Sequence, residues 1–375
     1  MKNHIIAAAA LLACGAAVAQ SSVTIFGIID AGVARVGASG AGHATSIGSG
    51  GLSTSRLGFR GTEDLGGGLA AGFWLEGQLN NDVGGGGTQT TGFDFLRRST
   101  VSLSGNFGEV RAGRDFTPTY LTMNQYDVFA QRGLGTIENT GTARAGVGSY
   151  VRVSNSVAYF TPATLGGFFG SLQYAFGEQQ SNKAVVTNAT GIATSVANAT
   201  TDKTGNFYSG RIGYAEGPID ISGAYGVFQD AVRTAGASFY AGDYKIANVG
   251  ASYDFGFIKP RFLYQSERIA GRGPVADFKF ETLSVGATVP IGAGLIRTQA
   301  TRYNQASSAN DFNKFSLGYL YNLSKRTTLY TDINRINNKG AGTIALANMS
   351  GSVNSPIPTP GGKSTGYIVG IRHAF

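Results

Sequence analysis

Fixed charge is the only side-chain chemistry this sequence supplies in quantity. Of its three histidines, His4 lies in an N-terminal apolar segment, His43 in a polar loop and His373 near the C-terminus. They are too few and too scattered for a histidine metal site. No HExxH, GxSxG or GxGxxG motif occurs, so no catalytic residue and no metal ligand is expected. The stretch "GGKS" at 361–364 imitates the end of a phosphate loop, but Ile357 stands where the first glycine is required. No cofactor is expected either. What remains is 30 Lys and Arg against 22 Asp and Glu. The arginines are set singly along alternating stretches rather than clustered with aromatics, which argues against a nucleic-acid partner. What they do depends on where they point, and that is a question of strand register.

Composition narrows the elements that could carry them. The 375 residues include 57 glycines and only 9 prolines, which disfavours a helical bundle. A mean hydropathy of −0.01 leaves alternation, not long runs, to carry the apolar residues. The one apolar run, "IIAAAALLACGAAV" at 5–18, follows Lys2 and precedes an A-x-A end. It is too short for a membrane helix and reads as a signal peptide over residues 1–19, cut after Ala19, for export by the Sec route. An alternative takes Cys14 as an acylated lipoprotein cysteine. Cleavage after Ala19 removes that cysteine, the only one present, so no disulfide is expected. Loss of Lys2 lowers the formal net charge of +8 to +7.

The rest, 20–375, reads as sixteen strands with two kinds of connection in alternation. Seven are short and turn-like: 63–68, 105–109, 161–167, 216–219, 255–260, 290–294 and 323–326. Eight are longer and polar: about 37–51, 81–92, 116–149, 178–205, 230–243, 269–278, 306–311 and 338–364. Between them the period is two. Val151, Val153, Val157 and Tyr159 alternate with Arg152, Ser154, Ser156 and Ala158; Leu283 and Val285 alternate with Ser284 and Gly286.

A soluble β-sandwich, such as a secreted adhesin or lectin, would also alternate. The aromatics distinguish the two architectures. Tyr159, Tyr174, Phe176, Tyr225, Tyr253, Phe255, Tyr319 and Tyr321 fall on the oily face and are expected beside the short turns, as one rim of an interfacial girdle. A sheet spanning a bilayer has no water for a free edge and must close. The last strand, "STGYIVGIRHAF", then pairs with the first, "SVTIFGIIDAGVARV", and Phe375 sits at the short-turn rim. The expected fold is all-β: a transmembrane, 16-stranded, antiparallel up-and-down barrel with its polar face inside.

Four stretches carry a family resemblance: "SSVTIFGIIDAGV" at the mature start, "SRLGFRGTEDLGGGLAAGFWLEGQL" at 55–79, "LSGNFGEVRAGRDFTPTY" at 103–120 and the terminal "VGIRHAF". Together they resemble the general porins of Gram-negative outer membranes, especially the β-proteobacterial branch, over essentially the whole mature chain. The resemblance implies a barrel, usually trimeric, whose third long loop (116–149) folds into the pore. It also implies a ladder of wall arginines facing acidic groups on that loop, and recognition of the aromatic end, Phe375, by the outer-membrane assembly machinery.

Matched to that pattern, Arg56, Arg98, Arg114 and Arg152 are the expected constriction arginines. Arg60 and Glu76 are further pore-lining residues, and Asp127 and Glu138 are the acidic candidates within the loop. Register supports Arg56, Arg98 and Arg152 independently. Arg114 shares parity with Val110 and Ala112, and only its place at the strand exit would let it turn inward. The loop departs from the Pro-Glu-Phe-Gly-Gly pattern of enterobacterial porins. Blander roles stand beside these: a wall arginine braced on Glu76, Asp127 as a turn-forming loop residue, and Arg97 snorkelling at the membrane rim. The implied function is passive diffusion of small hydrophilic solutes and ions, with an anion preference, in outer-membrane lipid. A barrel hydrolase would need a Ser-His-acid set near the rim and lacks a suitable histidine.

Overall fold

The computed structural model describes residues 22–87, 92–138, 150–178, 185–187, 193–196, 203–230, 242–271, 277–306, 308–346 and 355–375. The expected signal segment 1–19, with Cys14, lies outside the described residues, as do 139–149 of the third long loop. The barrel strands are β1 (Ser22–Ala38), β2 (Arg56–Gly66), β3 (Leu69–Asn80), β4 (Arg98–Gly105), β5 (Gly108–Phe116), β6 (Arg152–Phe160), β7 (Phe168–Ala175) and β8 (Phe207–Glu216). They continue as β9 (Ile219–Phe228), β10 (Gly242–Tyr253), β11 (Lys259–Gly271), β12 (Phe278–Ile291), β13 (Gly294–Gln305), β14 (Phe312–Asn322), β15 (Thr327–Asn338) and β16 (Lys363–Ala374).

Each strand pairs antiparallel with the next, and β16 pairs with β1, so sixteen strands close a barrel. At the seam Ala38 faces Ser364 and Ile28 faces Ala374. The ladder runs to the last residue: Gly27 N–H donates to the Phe375 carbonyl at 3.1 Å, and Phe375 N–H donates to the Gly27 carbonyl at 3.0 Å. Gly27 is required there by close approach, because a Cβ would come within 2.3 Å of the Phe375 ring.

The faces are inverted relative to a soluble protein. Leu172 and Ile212 are 65% and 71% exposed on the outside, whereas Ser171, Gln173, Ser209, Asn248, Gln265 and Thr301 are buried on the inside. A sandwich would bury the first set, so the architecture is the membrane barrel. Its long-loop rim faces outward from the cell and its short turns face the periplasm, as in bacterial outer-membrane barrels.

Two sequence expectations change. The first long connection, 37–51, contains a strand, Gly42–Ser49, that pairs with Ala31–Ala38. β2 covers only Ser22–Ile28 of the long β1, so this hairpin occupies the upper edge that would otherwise be bare. The aromatics form two rims rather than one. Tyr159, Tyr253, Phe255, Tyr319 and Tyr321 lie toward the short turns, but Tyr174, Phe176 and Tyr225 lie near the long-loop ends of β7 and β9, where Tyr174 faces Tyr208 across the ladder. Both strands run upward from a short turn, so an aromatic near the C-terminal end of either belongs to the upper interface.

The third long loop leaves β5 as a helix, α1 (Pro118–Tyr126). Thr117 caps it, accepting from Tyr120 N–H at 3.2 Å, and Pro118 opens it where no donor is needed. The helix lies inside the barrel against β8–β11. Tyr126 seats on Gly250, where a Cβ would come within 2.0 Å of its ring, and its hydroxyl donates to Asp220 Oδ1 at 2.8 Å. Gly250→Val should lift Tyr126 from the wall. Limited proteolysis should then cut within 127–138 faster than in the parent, with heat-modifiable mobility of the barrel unchanged; equal cutting rates would show that the glycine seat does not hold the loop.

Candidate functional site

The loop crosses the lumen and is fixed to the far wall by polar contacts. Val128 N–H donates to Gln299 Oε1 on β13 at 2.8 Å, and Glu138 N–H donates to Tyr303 Oη at 2.6 Å. Lys314 on β14 donates to the Thr136 carbonyl and to Glu138 Oε1, both at 2.6 Å. Asn248 on β10 donates to the Thr119 carbonyl at 2.8 Å. Burial pushes the Tyr126 phenol above its ordinary value, contact with the Ser222 hydroxyl offsets part of this, and Asp220 raises it further, so Tyr126 remains a neutral donor.

Asp127 closes the helix and organises the loop. Its carboxylate accepts from Phe129 N–H at 2.9 Å, Gln131 N–H at 3.0 Å, Gln131 Nε2 at 2.6 Å and Ile137 N–H at 3.1 Å, and the residue is fully buried. It therefore does not face Arg56, Arg98 or Arg152 as an acidic counterpart; the wall arginine beside it is Arg261, whose Nη1 lies 3.5 Å from the Asp127 carbonyl. Its role is the turn-forming one, because the loop folds back on itself around that carboxylate. Glu138 is brought to the lumen, but its charge is matched by Lys314 rather than by an arginine of the opposite wall.

Beside the Glu138 anchor lies a cationic recess of about 460 Å³, lined by Gln78, Arg97, Tyr120, Arg132, Glu138 and Arg152 among others. Arg97 Nε donates to Glu76 Oε1 at 2.6 Å, and Arg56 Nη1 lies 3.5 Å from the same oxygen. Trp74 Nε1 donates to Glu76 Oε2 at 3.3 Å. Arg152 stacks 4.0 Å above the Phe116 ring, which itself stacks on Tyr120. Arg132, on the loop, donates to Tyr120 Oη at 3.0 Å. Two guanidiniums, Arg56 and Arg97, thus pair with Glu76, Arg132 and Arg152 line the recess without a carboxylate of their own among the described residues, and Glu138 is balanced by Lys314. Arg97 Nη2 and Arg152 Nε and Nη2 have no protein partner among the described residues.

A second group lies lower on the same wall. Trp74 is held between the guanidiniums of Arg60 at 5.1 Å and Arg98 at 4.5 Å. Arg98 reaches Asp115 at 3.5 Å, and Arg111 pairs with Asp115 at 2.6 Å and Glu109 at 2.7 Å.

The comparisons with known proteins agree with this geometry. A family model described as Gram-negative porin matches residues 7–341. The chain is 41% identical to outer membrane porin protein 32 of Delftia acidovorans over the full length of both. It is 30% identical to an outer membrane porin protein of Bordetella pertussis, again over the full length of both. Among solved structures it is similar to the anion-selective porin from Comamonas acidovorans: 38% identity, a TM-score of 0.81, and coverage of 95% of this chain and 100% of that one. The chain belongs to the Gram-negative porin family.

This porin is therefore an outer-membrane protein. Its sequence-expected residues divide in the structure. Arg56, Arg152, Glu76 and Glu138 reach the upper level, and Arg60 and Arg98 the lower. Arg114 is in neither group: it lies on the outer parity, with Nε donating to the Leu96 carbonyl at 2.6 Å and Nη1 to Ser154 Oγ at 2.9 Å. Asp115, next along the strand, faces inward on the parity of Glu109 and Arg111, beside a register shift between Gly113 and Asp115.

Arg97 is the opposite correction. It is 5% exposed and bound to Glu76, not snorkelling at the rim. β4 begins at Arg98, so Arg97 precedes the first ladder residue and strand parity does not govern it. Arg111, Arg132 and Lys314 are functional candidates that sequence reasoning missed. Parity with Glu109 could have found Arg111; the other two depend on contacts distant in the chain.

Arg97→Glu changes the local charge by two units and should move the zero-current potential in a salt gradient toward cations by about tenfold in permeability ratio, twice the roughly 0.7 kcal/mol low-end effect of one charge about 6 Å from an ion in a water-like dielectric. Arg114→Glu should leave it unchanged. The reverse pattern would place Arg114, not Arg97, in the passage.

Proposed function

We propose that this porin passes small hydrophilic solutes and ions passively and prefers anions, with the level of Arg56, Arg97, Arg132 and Arg152 as its constriction. The observation that carries the reading is the charge imbalance where the loop narrows the lumen: Arg56 and Arg97 share Glu76, Arg132 and Arg152 have no carboxylate partner among the described residues, Asp127 is enclosed within the loop and Glu138 is matched by Lys314. One unit charge about 6 Å from a passing ion contributes roughly 0.7 to 3 kcal/mol at an effective dielectric of 80 to 20, before screening. Low-dielectric barrel walls keep that field in the passage. The anion-selective relative from Comamonas acidovorans, 38% identical, supports the sign.

In this reading the lower group, Arg60, Arg98 and Arg111, continues the cationic path toward the periplasm. Arg152, held over the Phe116 ring at the recess, presents its remaining guanidinium nitrogen, Nη1, as a donor that an anion can take up as it sheds water. No catalytic step and no cofactor belong to the function. The working unit is a homotrimer in outer-membrane lipid, and Phe375 serves both barrel closure and recognition by the assembly machinery, as the terminal "VGIRHAF" suggests.

In planar bilayers under a roughly tenfold KCl gradient, the open channel should give a zero-current potential on the chloride side, with a preference of at least about threefold. The preference should grow as ionic strength falls and the Debye length lengthens. A potential of zero, or one on the potassium side, would overturn the anion reading while leaving the barrel intact.

A further inference from the structure

The outer face of the barrel carries a second, separate set of cations at the long-loop rim. On β13–β16 one rung of the sheet presents Arg302, Asn313, Asn337 and Lys363 in succession, each directly opposite the next across its ladder. Arg335 lies one outward position lower on β15, with Nε donating to Asn337 Oδ1 at 3.0 Å. All five point away from the lumen, on the parity of Phe315, Leu317, Ile333 and Tyr367. With strands about 4.8 Å apart, the rung from Arg302 to Lys363 covers roughly 14 Å.

Among the described residues no carboxylate pairs with Arg302, Arg335 or Lys363, and the outward positions of these four strands contain none. Asp311, the nearest acidic residue along the chain, accepts from Gln305 N–H at 3.1 Å. The adjoining part of the rim is different. On β10–β12 the outward cations Lys245, Arg268 and Lys279 each have an acid, Asp243 at 4.0 Å, Asp277 at 2.6 Å and Glu281 at 2.7 Å. One sector of the rim neutralises itself and its neighbour does not.

Directly below the unneutralised sector the apolar wall is grooved. A cleft of about 340 Å³ runs between Ile296, Leu317, Tyr319, Ile333 and Tyr367, over the small residues Gly318 and Thr331. Asp332 is visible at its floor, but that carboxylate is turned to the lumen side and bound to Arg297 at 2.8 Å. A cationic band above an acyl-sized apolar groove, at the depth where membrane head groups meet hydrocarbon, matches one kind of molecule.

We propose that the outer face of β13–β16 is a binding site for a phosphate-bearing lipid of the outer leaflet. Its phosphates sit on Arg302, Arg335 and Lys363, Asn313 and Asn337 supply neutral donors, and an acyl chain lies in the groove between Leu317, Ile333 and Tyr367. Arginine suits this role because its planar fork donates two parallel hydrogen bonds to phosphate oxygens. The site is independent of the lumen and of ion selectivity.

The test uses native mass spectrometry of the delipidated full-length porin in detergent, with a hexa-acyl diphosphoryl glucosamine disaccharide and its dephosphorylated form as probes. The parent should retain the diphosphoryl lipid and release the dephosphorylated one. Arg302→Gln, Arg335→Gln and Lys363→Gln combined should weaken retention about tenfold or more, with heat-modifiable mobility and channel conductance unchanged. Lys245→Gln, Arg268→Gln and Lys279→Gln combined should change it less than twofold. If the first combination fails to fold, Lys363→Gln alone should weaken retention about threefold. Equal retention by parent and variant, or equal retention of the two lipids, would overturn the proposal. So would a change of oligomeric state with lipid retention intact, which would make this face a contact between copies of the chain.

Discussion

A strand surrounded by hydrocarbon has no water to satisfy its amides and carbonyls, so every backbone group must find its partner in the neighbouring strand. That requirement closes the sheet, and the details of this barrel follow from it. The ladder between β1 and β16 continues to Phe375, and Gly27 lacks a side chain where the terminal ring must lie. The strand Gly42–Ser49 takes the upper edge of β1 that β2 leaves uncovered. Once the sheet is closed, period two sends oily side chains out and polar ones in. The interior becomes a place where arginine can stand without a carboxylate for each.

The loop depends on that polar interior. A helix in the lumen needs donors and acceptors along the wall to hold it, and Gln299, Tyr303, Lys314, Asn248 and Asp220 supply them. Guanidiniums of the anchoring wall are themselves engaged, Arg211 with Gln125 and Ser222 and Arg297 with Asp332, whereas Arg132 and Arg152 at the recess have no carboxylate partner among the described residues. Arg97 Nη2 and Arg152 Nε and Nη2, unpaired among the described residues, would be costly in a sealed core. Beside a lumen, other nitrogens of the same side chains can reach water and passing anions.

Much of this was legible in the alternation itself. Val101 and Leu103 outside, with Arg98 and Thr100 inside, follow directly from period two, and the side-segregated connections reveal strand direction. The rule failed where the ladder stops. Arg97 stands one residue before β4, so its parity predicts nothing; Arg114 obeys its parity with Val110 and Ala112 and faces outward, and only the family resemblance implies an inward turn there. Tyr174 and Tyr225 lie at the upper rim because their distance to a long loop, not their parity, decides height. Within the loop no period exists to read. That Asp127 would be enclosed by Gln131 and Ile137, and that Glu138 would meet Lys314, 176 positions away, follows only from the folded path of the chain.

The central claim is that the guanidiniums around the loop, and not its carboxylates, define the charge seen by a permeating ion. Crystals grown from rubidium bromide test it most directly, since both ions scatter anomalously at separate absorption edges. The account predicts bromide peaks within hydrogen-bond reach of Arg97, Arg132 or Arg152 and no rubidium at that level. Rubidium beside Asp127 or Glu138, with no bromide at the guanidiniums, would contradict it.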